Sequence, residues 1–388
     1  MRTIKPLLVV LTLVGISWAG FGQNSAGLTP AEKTIQSAQK AIADNSSNVD
    51  AYNRLAIGLA RRARETSDPL YYKKADEAIA RSMELAPGNF EGQKSRVWIL
   101  LGQHEFPKAL ELAKTLNKQM PDDLLLYGFM TDANAELGNY ADAEAACQWM
   151  LDLRPGNIPA LTRAAYLREL FGDIDGAIEL MNKAYDRTPP LEFEDRAWTL
   201  TQLAHLELVE GHNDNAEKLL GQALTLFPNY HYALANLAKL RSAQKKHEEA
   251  AALLKRRYEA APHPENLFAL AEELDRAGQK LEARSAFTEF EKGALKETAI
   301  WDNSNRELIF YYANHAGKPA EALKVAELEF SRRHDVYTLD AYAWALHVNH
   351  RDSEAMVQLN RALDVGIKDP DLLARADILR SKALPTRK

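Results

Sequence analysis

The chain has only one cysteine, Cys147, among its 388 residues. An intrachain disulfide is therefore impossible, even in an oxidising compartment. A lone cysteine on the apolar side of a predicted helix is typical of a small buried side chain rather than of a reactive thiol. We conclude that noncovalent packing alone must stabilise the fold.

Signatures of catalysis are missing as well. The sequence contains no G-x-S-x-G, no Walker A, no H-E-x-x-H and no glycine-rich phosphate loop. His347 and His350 have a spacing that suits metal binding on a helix, but a third ligand is not evident nearby. We therefore interpret them as solvent-exposed or partly packed side chains. We predict a protein that is not an enzyme and that uses no cofactor and no metal.

An excess of positive charge is also lacking. The chain carries 48 basic and 54 acidic residues, a net charge of −6. Removal of a leader containing Arg2 and Lys5 would leave 46 against 54, or −8. Nucleic-acid binding depends on Lys and Arg that neutralise phosphates, so we expect a protein or peptide partner of unknown identity and no nucleic acid.

Long apolar runs are confined to the start of the chain. Two basic residues, Arg2 and Lys5, precede the run LLVVLTLVGI, and the small residue Ala19 follows it. This order predicts a secretory signal peptide over 1–19, cleaved after Ala19 or after Gly22. An uncleaved anchor is the alternative, which the short length of the run disfavours. We therefore expect an exported protein, periplasmic or secreted, with no stable membrane span after cleavage.

What the sequence does contain is a long repeat. Four of its prolines are spaced 34 residues apart, and two more follow after 39 and after a further 34 residues. They are Pro87, Pro121, Pro155, Pro189, Pro228 and Pro262. Between two of them, residues 122–155 form two amphipathic stretches joined at Gly138. Ala143 comes early in the second stretch, and Pro155 cannot continue a helix.

The spacing and the residue types resemble the tetratricopeptide repeat (TPR) family. In residues 122–155 the family's characteristic positions fall on Tyr127, Met130, Thr131, Gly138, Tyr140, Ala143, Cys147, Met150 and Pro155. The alanine at which the two helices of a pair touch recurs at Ala75, Ala109, Ala143, Ala177, Ala216, Ala250, Ala283, Ala322 and Ala355. The resemblance implies an all-α solenoid, a right-handed superhelix of antiparallel helix pairs with about nine degenerate repeats and terminal capping helices.

The register divides the chain into five parts. They are the leader over 1–19, a flexible lead-in over 20–28, an N-terminal capping helix over 29–48, the repeats over 49–369, and a C-terminal capping helix with a tail over 370–388. We predict an irregular joint over 293–305, between the seventh and eighth repeats.

Two repeats are longer than the rest. The first has seven extra residues around 61–72, and the fifth begins with five extra residues around the sequence LEFEDRAW. The extra residues of the first repeat are interpreted as a longer turn, because surface insertions cost little. A loop that contacts a partner is the alternative.

The TPR resemblance also implies a binding surface. In that family, set positions on the first helix of each pair line the concave face. Rings at these positions suit recognition of an extended peptide or a helix, although each ring has packing between repeats as its alternative role. The candidate partner-binding residues are Trp98, Tyr166, Trp198, His205, Tyr232, Tyr311, Tyr337 and Trp344.

Two functions follow from these features. The first is a non-catalytic exported scaffold that binds a protein or peptide through its concave face. The alternative is a structural subunit of an envelope assembly, such as secretion or polysaccharide-export machinery.

Overall fold

A computed structural model describes residues 28–298 and 304–383, and the predicted leader and most of the lead-in lie outside these residues. Within them, twenty α-helices follow one another, and no strand occurs. Nine antiparallel pairs lie between a helix at each end, which confirms the predicted all-α TPR solenoid with nine repeats. The capping helices are α1 (Pro30–Asp44) and α20 (Pro370–Ala383).

The first helices of the nine pairs are the inner helices. They are α2 (Val49–Thr66), α4 (Phe90–Gly102), α6 (Leu124–Leu137), α8 (Ile158–Leu170), α10 (Phe193–Val209), α12 (His231–Ala243), α14 (Pro264–Arg276), α16 (Ser304–Asn314) and α18 (Val336–Val348).

The second helices pack against them. They are α3 (Leu70–Leu85), α5 (Phe106–Gln119), α7 (Tyr140–Leu153), α9 (Ile174–Arg187), α11 (Asn213–Leu226), α13 (His247–Ala260), α15 (Lys280–Glu297), α17 (Pro319–Arg332) and α19 (Asp352–Leu363). Helix α15 continues through Gly293 to Glu297, so this half of the predicted irregular joint is helical. Residues 299–303 of the joint are not described.

Local signals explain the helix ends. The Asp123 side chain accepts hydrogen bonds from the first N–H groups of α6, which have no partner within the helix. Gly138 ends the same helix with φ of 80°, a left-handed conformation that glycine adopts without steric cost. Thr29 and Glu32 form a capping box at the start of α1.

The core follows the alanine register. Each of the nine alanines named above is at most 1% exposed, which lets the paired helices approach closely. Cys147 is 2% exposed, and its burial raises the pKa of the thiol to about 11. The cysteine is therefore a buried core residue that stays protonated at neutral pH.

The second half of the superhelix lies directly on the first half. The turn after α6 contacts the segment before α18, where the Tyr140 hydroxyl accepts a hydrogen bond from the Val336 N–H at 2.9 Å. The His334 N–H donates to the Leu137 carbonyl at 3.4 Å. One repeat further on, Gly172 lies against the Gly366 carbonyl. We call this line of contacts, between the turns over 137–140 and 171–172 and the loops over 333–336 and 366–368, the seam.

A buried arginine reinforces the seam. Arg333 is fully buried, and its guanidinium lies 3.5 Å from Glu136 of α6, 3.6 Å from Glu329 of α17 and 3.6 Å from Asp335. The charge is thus neutralised by carboxylates from both halves of the superhelix, which a buried ion requires.

The two extended repeats also meet, and within residues 61–72 only 67–69 lie outside a helix. Helix α2 continues through Thr66, and the extra residues of the fifth repeat form the start of α10. Arg61 lies 2.6 Å from Glu192 and 3.3 Å from Asp195, and Arg64 pairs with both Glu194 and Asp195. We call these five side chains the clasp.

The clasp joins complementary helix ends. Its arginines lie near the C-terminus of α2, and its carboxylates lie at the N-cap and in the first turn of α10. Basic groups at a helix C-terminus and acidic groups at an N-terminus are both stabilised by the helix dipole. The two insertions therefore act together as an intramolecular contact.

Candidate functional site

All eight residues predicted to bind a partner lie on inner helices, and each is half-buried. The structure brings two of them, Tyr166 of α8 and Tyr337 of α18, to one cavity. His205 lines a second cavity, and the other five rings pack mainly against neighbouring helices.

The first space, which we call the central cavity, lies between the two halves of the superhelix. Its volume is about 310 Å³, at the lower end of the range for ligand pockets. Helices α4, α6 and α8 form one side, and α16 and α18 form the other. The lining residues are Leu101, His104, Phe106, Asp132, Glu136, Tyr166, Arg306 and Tyr337.

The two tyrosines supply both rings and hydroxyl groups to this cavity. Burial, with nearby carboxylates as a further cause, raises the pKa of Tyr166 and of Tyr337, so both hydroxyls stay protonated. Within residues 28–298 and 304–383, neither hydroxyl makes a hydrogen bond to the protein. Both are therefore able to bond to a group that enters the cavity.

Each charged group in the cavity wall is paired with a residue that lies just outside the cavity. Arg306 lies 3.5 Å from Asp335, and Asp132 lies 2.5 Å from Arg163. Burial and the nearby Asp335 raise the pKa of Glu136, although Arg333 and Arg306 oppose this shift. The cavity is thus polar but close to electrically balanced.

A second cavity of about 510 Å³ lies along α10, α12 and α14 beside the start of α20. His205 lines it, and the His205 Nε2 atom lies 2.8 Å from Glu169 of the preceding repeat. Asp369 and Asp371 also line this cavity. This cavity is the larger of the two, but it receives only one of the eight predicted residues.

The remaining rings contact adjacent helices. Trp98 packs between the first three repeats, and Trp198 and Tyr232 pack on one shared core cluster. Tyr311 stacks on Phe287 with ring centroids 5.4 Å apart. The Trp344 Nε1–H donates to the Asn314 side chain at 2.8 Å. These contacts give each ring a packing role besides the predicted binding role.

Sequence reasoning missed Arg306 and Glu136 in the cavity wall. Arg306 lies five residues before Tyr311, at a position that the family pattern gives to a bulky packing residue and not to the concave face. Glu136 lies at the end of α6 and reaches the cavity only because the seam closes around it. The register places Glu136 at a concave-face position, but a selection restricted to aromatic and histidine side chains passes over it.

The histidine pair forms no metal site in the described residues. His347 is 7% exposed, and its Nδ1 atom lies 2.6 Å from Asp352, whereas His350 is exposed in a left-handed turn. No group of three or more potential ligands occurs within residues 28–298 and 304–383. In the same residues, no helix combines the length and the apolar character needed to span a bilayer.

Comparisons with known proteins agree with this architecture. The family model for the tetratricopeptide repeat matches residues 208–274, from the end of α10 through most of α14. A search of curated protein sequences found no significant match.

Solved structures share the fold at low identity. A chain of the APC/C hetero-tetramer Cut9–Hcn1 matches with a TM-score of 0.55 and 13% identity over 92% of this chain. This chain spans 60% of the length of that one. Human IFIT1, solved as a dimer with PPP-AAAA, matches with a TM-score of 0.52 and 13% identity, over 87% of this chain and 95% of the other. Identities this low show a common fold alone.

Proposed function

We propose that this solenoid of tetratricopeptide repeats is an exported, non-catalytic scaffold that binds an extended segment of a partner protein in its central cavity. The TPR fold suggests a protein-interaction scaffold. The finer assignment depends on one observation, the convergence of Tyr166 and Tyr337 on a common space. These residues belong to repeats four and nine, 171 positions apart in sequence (337 − 166).

The chemistry of the cavity favours a peptide segment. Two unbonded hydroxyl groups can pair with main-chain or side-chain polar groups, and the rings offer apolar area with little conformational freedom to lose. The volume suits a side chain rather than a folded domain. The balanced charge of the wall gives no preference for a strongly charged ligand such as a phosphate chain.

Export is the second part of the proposal. It rests on the order of basic, apolar and small residues over 1–19. A fusion of residues 1–23 to a reporter should appear outside the cytoplasm, whereas the same fusion with Leu8 and Leu11 replaced by Arg should stay inside. Retention of the unaltered fusion in the cytosol would remove this part of the proposal.

The binding proposal is tested by affinity capture. Residues 20–388 serve as bait on envelope and secreted fractions, and mass spectrometry identifies the captured proteins. We expect Tyr166→Ala and Tyr337→Ala to weaken binding of the captured partner about tenfold or more, as for a central interface anchor. Glu248→Ala, an exposed change on α13, is the control and should bind normally.

Two further measurements separate binding from packing. Tyr166→Phe keeps the ring and removes the hydroxyl, so it reports the hydrogen bond alone. Thermal melting of each variant shows whether a loss of affinity reflects lost stability. If both alanine variants bind normally while the Glu248 variant fails, the outer surface carries the function instead.

A further inference from the structure

We propose that the clasp is an autoinhibitory contact, which closes the first turn of the superhelix and covers Tyr232 until it opens. The inference rests on the proposed scaffold function and on the binding role that the sequence predicts for Tyr232, which lies outside the central cavity. The rest of the inference is that the clasp opens and closes, and this part involves no partner.

Tyr232 lies against the clasp through its neighbour in sequence. The rings of Tyr232 and His231 have centroids 3.9 Å apart. The His231 Nε2–H donates to the Arg64 carbonyl at 3.0 Å, so the end of α2 is fastened beside the tyrosine. The Tyr230 hydroxyl donates to Glu194 at 2.6 Å and joins the same group of residues from the other side. Because His231 links the half-buried Tyr232 to α2, we expect an outward movement of α2 to increase the exposure of the Tyr232 ring.

The clasp is held by side chains. In the described part of the chain, no main-chain hydrogen bond joins α2 to α10, although several side-chain ion pairs do. The seam differs, because a main-chain hydrogen bond and closely approaching backbones contribute to it. Side-chain contacts can break without unfolding either helix. The clasp should therefore separate before the seam does.

Solvent reaches the clasp. The side chains of Arg61, Glu192 and Asp195 are 22%, 34% and 39% exposed. Ion pairs with this exposure are weakened by salt and by the freedom that long side chains lose when they pair. Glu194 is only 2% exposed and anchors Arg64 in the closed state. One buried carboxylate among partly exposed partners suits a contact that holds but can be released.

The clasp is also additional to the repeat fold. Its residues come from the segments by which the first and fifth repeats exceed the common length, and the other repeats form their helix pairs without such segments. Because this contact is built from two insertions that meet across the molecule, its role is to hold the end of α2 against the start of α10.

Hydroxyl-radical footprinting with mass spectrometry tests the proposal without a partner. We expect oxidation of Tyr232 to rise severalfold in Arg61→Glu, to return towards the parent value in Arg61→Glu/Glu192→Arg, and to rise with salt in the parent protein. Lys114→Glu, an exposed change of the same charge on α5, should leave it unchanged. Met150, which is fully buried, reports unfolding and should stay protected throughout.

A crosslinked variant provides the second test. In a Cys147→Ala background, Arg61→Cys and Glu192→Cys are joined by a short bis-maleimide. Crosslinking should abolish the salt-dependent oxidation of Tyr232, and the uncrosslinked variant should show the largest oxidation. Salt-independent oxidation of Tyr232 in the parent, together with parent-like oxidation in Arg61→Glu, would overturn the inference. That result leaves the central-cavity proposal intact, because Tyr166 and Tyr337 are tested separately.

Discussion

Arg64 near the end of α2 and Glu194 in the first turn of α10 form an ion pair across 130 residues of sequence. Burial alone would lower the pKa of Arg64, but Glu194 and Asp195 outweigh this effect and raise it, so the guanidinium stays charged. Glu194 is almost fully buried, and Arg64 compensates its charge.

The first prediction concerns this pair. Arg64→Met keeps the apolar stem and removes the charge, which leaves Glu194 buried without its ionic partner. We expect a loss of about 1–3 kcal/mol in the free energy of unfolding, because a buried group that loses its partner is costly. Urea unfolding of Arg64→Met, Glu194→Gln and the double variant should give a coupling energy of about 0.5–3 kcal/mol. Lys114→Met is the control, and coupling near zero would show that the two side chains act independently.

The second prediction uses three turn glycines as a matched set. Gly138, Gly172 and Gly211 have φ of 80°, 77° and 80°, so alanine at any of them costs about 1–2 kcal/mol in backbone strain. A Cβ atom on Gly138 would lie 2.5 Å from the His334 carbonyl oxygen, and one on Gly172 would meet the Gly366 carbonyl. Nothing lies within 4 Å of the same position on Gly211. Gly138→Ala and Gly172→Ala should therefore unfold at lower urea than Gly211→Ala, by a further ~1–3 kcal/mol. Equal losses at all three glycines would mean that the seam does not form in solution.

The third prediction concerns pH. Burial lowers the pKa of His231 from its ordinary value to about 4, although its bond to the Arg64 carbonyl opposes this shift. Between pH 6.5 and 4 the unfolded chain therefore binds a proton at this residue that the folded chain does not bind. Stability should fall with decreasing pH across this window, with His231 contributing up to about 1.4 kcal/mol per pH unit.

His231→Gln supplies the comparison for this pH effect. Buried carboxyls with raised pKa values, such as Glu65 and Glu136, act in the opposite direction in both proteins. The difference between the two unfolding curves against pH isolates the histidine. Parallel curves from pH 7.5 to 4.5 would contradict the assigned burial.

The fourth prediction concerns the helix-pair contact. Ala143 has no exposed surface, so Ala143→Trp must displace packed neighbours and should cost about 1–3 kcal/mol or more. Ala177→Trp is equivalent in the next repeat. Ala141→Trp, an exposed change two residues earlier on α7, should melt like the parent protein. A similar melting temperature for all three variants would show that the register is misassigned.

The sequence predicted the helix pairs because their determinants are local. An alanine at the crossing recurs in every repeat, a glycine at the turn and a proline at the end recur in many of them, and the nine crossing alanines are all buried. The clasp and the seam could not be predicted in this way. They depend on the small rotation between successive repeats, which accumulates over several repeats before Arg61 meets Glu192 or Gly138 meets His334.

The candidate site was predictable in part for the same reason. The register placed Tyr166 and Tyr337 on inner helices, but their approach to one cavity follows from the winding of the whole chain. The sequence pattern predicted a longer turn over 61–72. A local pattern cannot show that α2 is longer instead and ends in a contact with α10.

The seam also limits how the chain can change in length. A linear repeat array tolerates the gain or loss of a unit, since each unit contacts only its neighbours. Here the turn after α6 must align with the loop before α18, and the turn after α8 with the loop before α20. One repeat duplicated between α9 and α14 would shift the second half by a full unit against the first. The number of repeats between these contacts is therefore fixed by the fold, as the number of strands is fixed in a closed barrel.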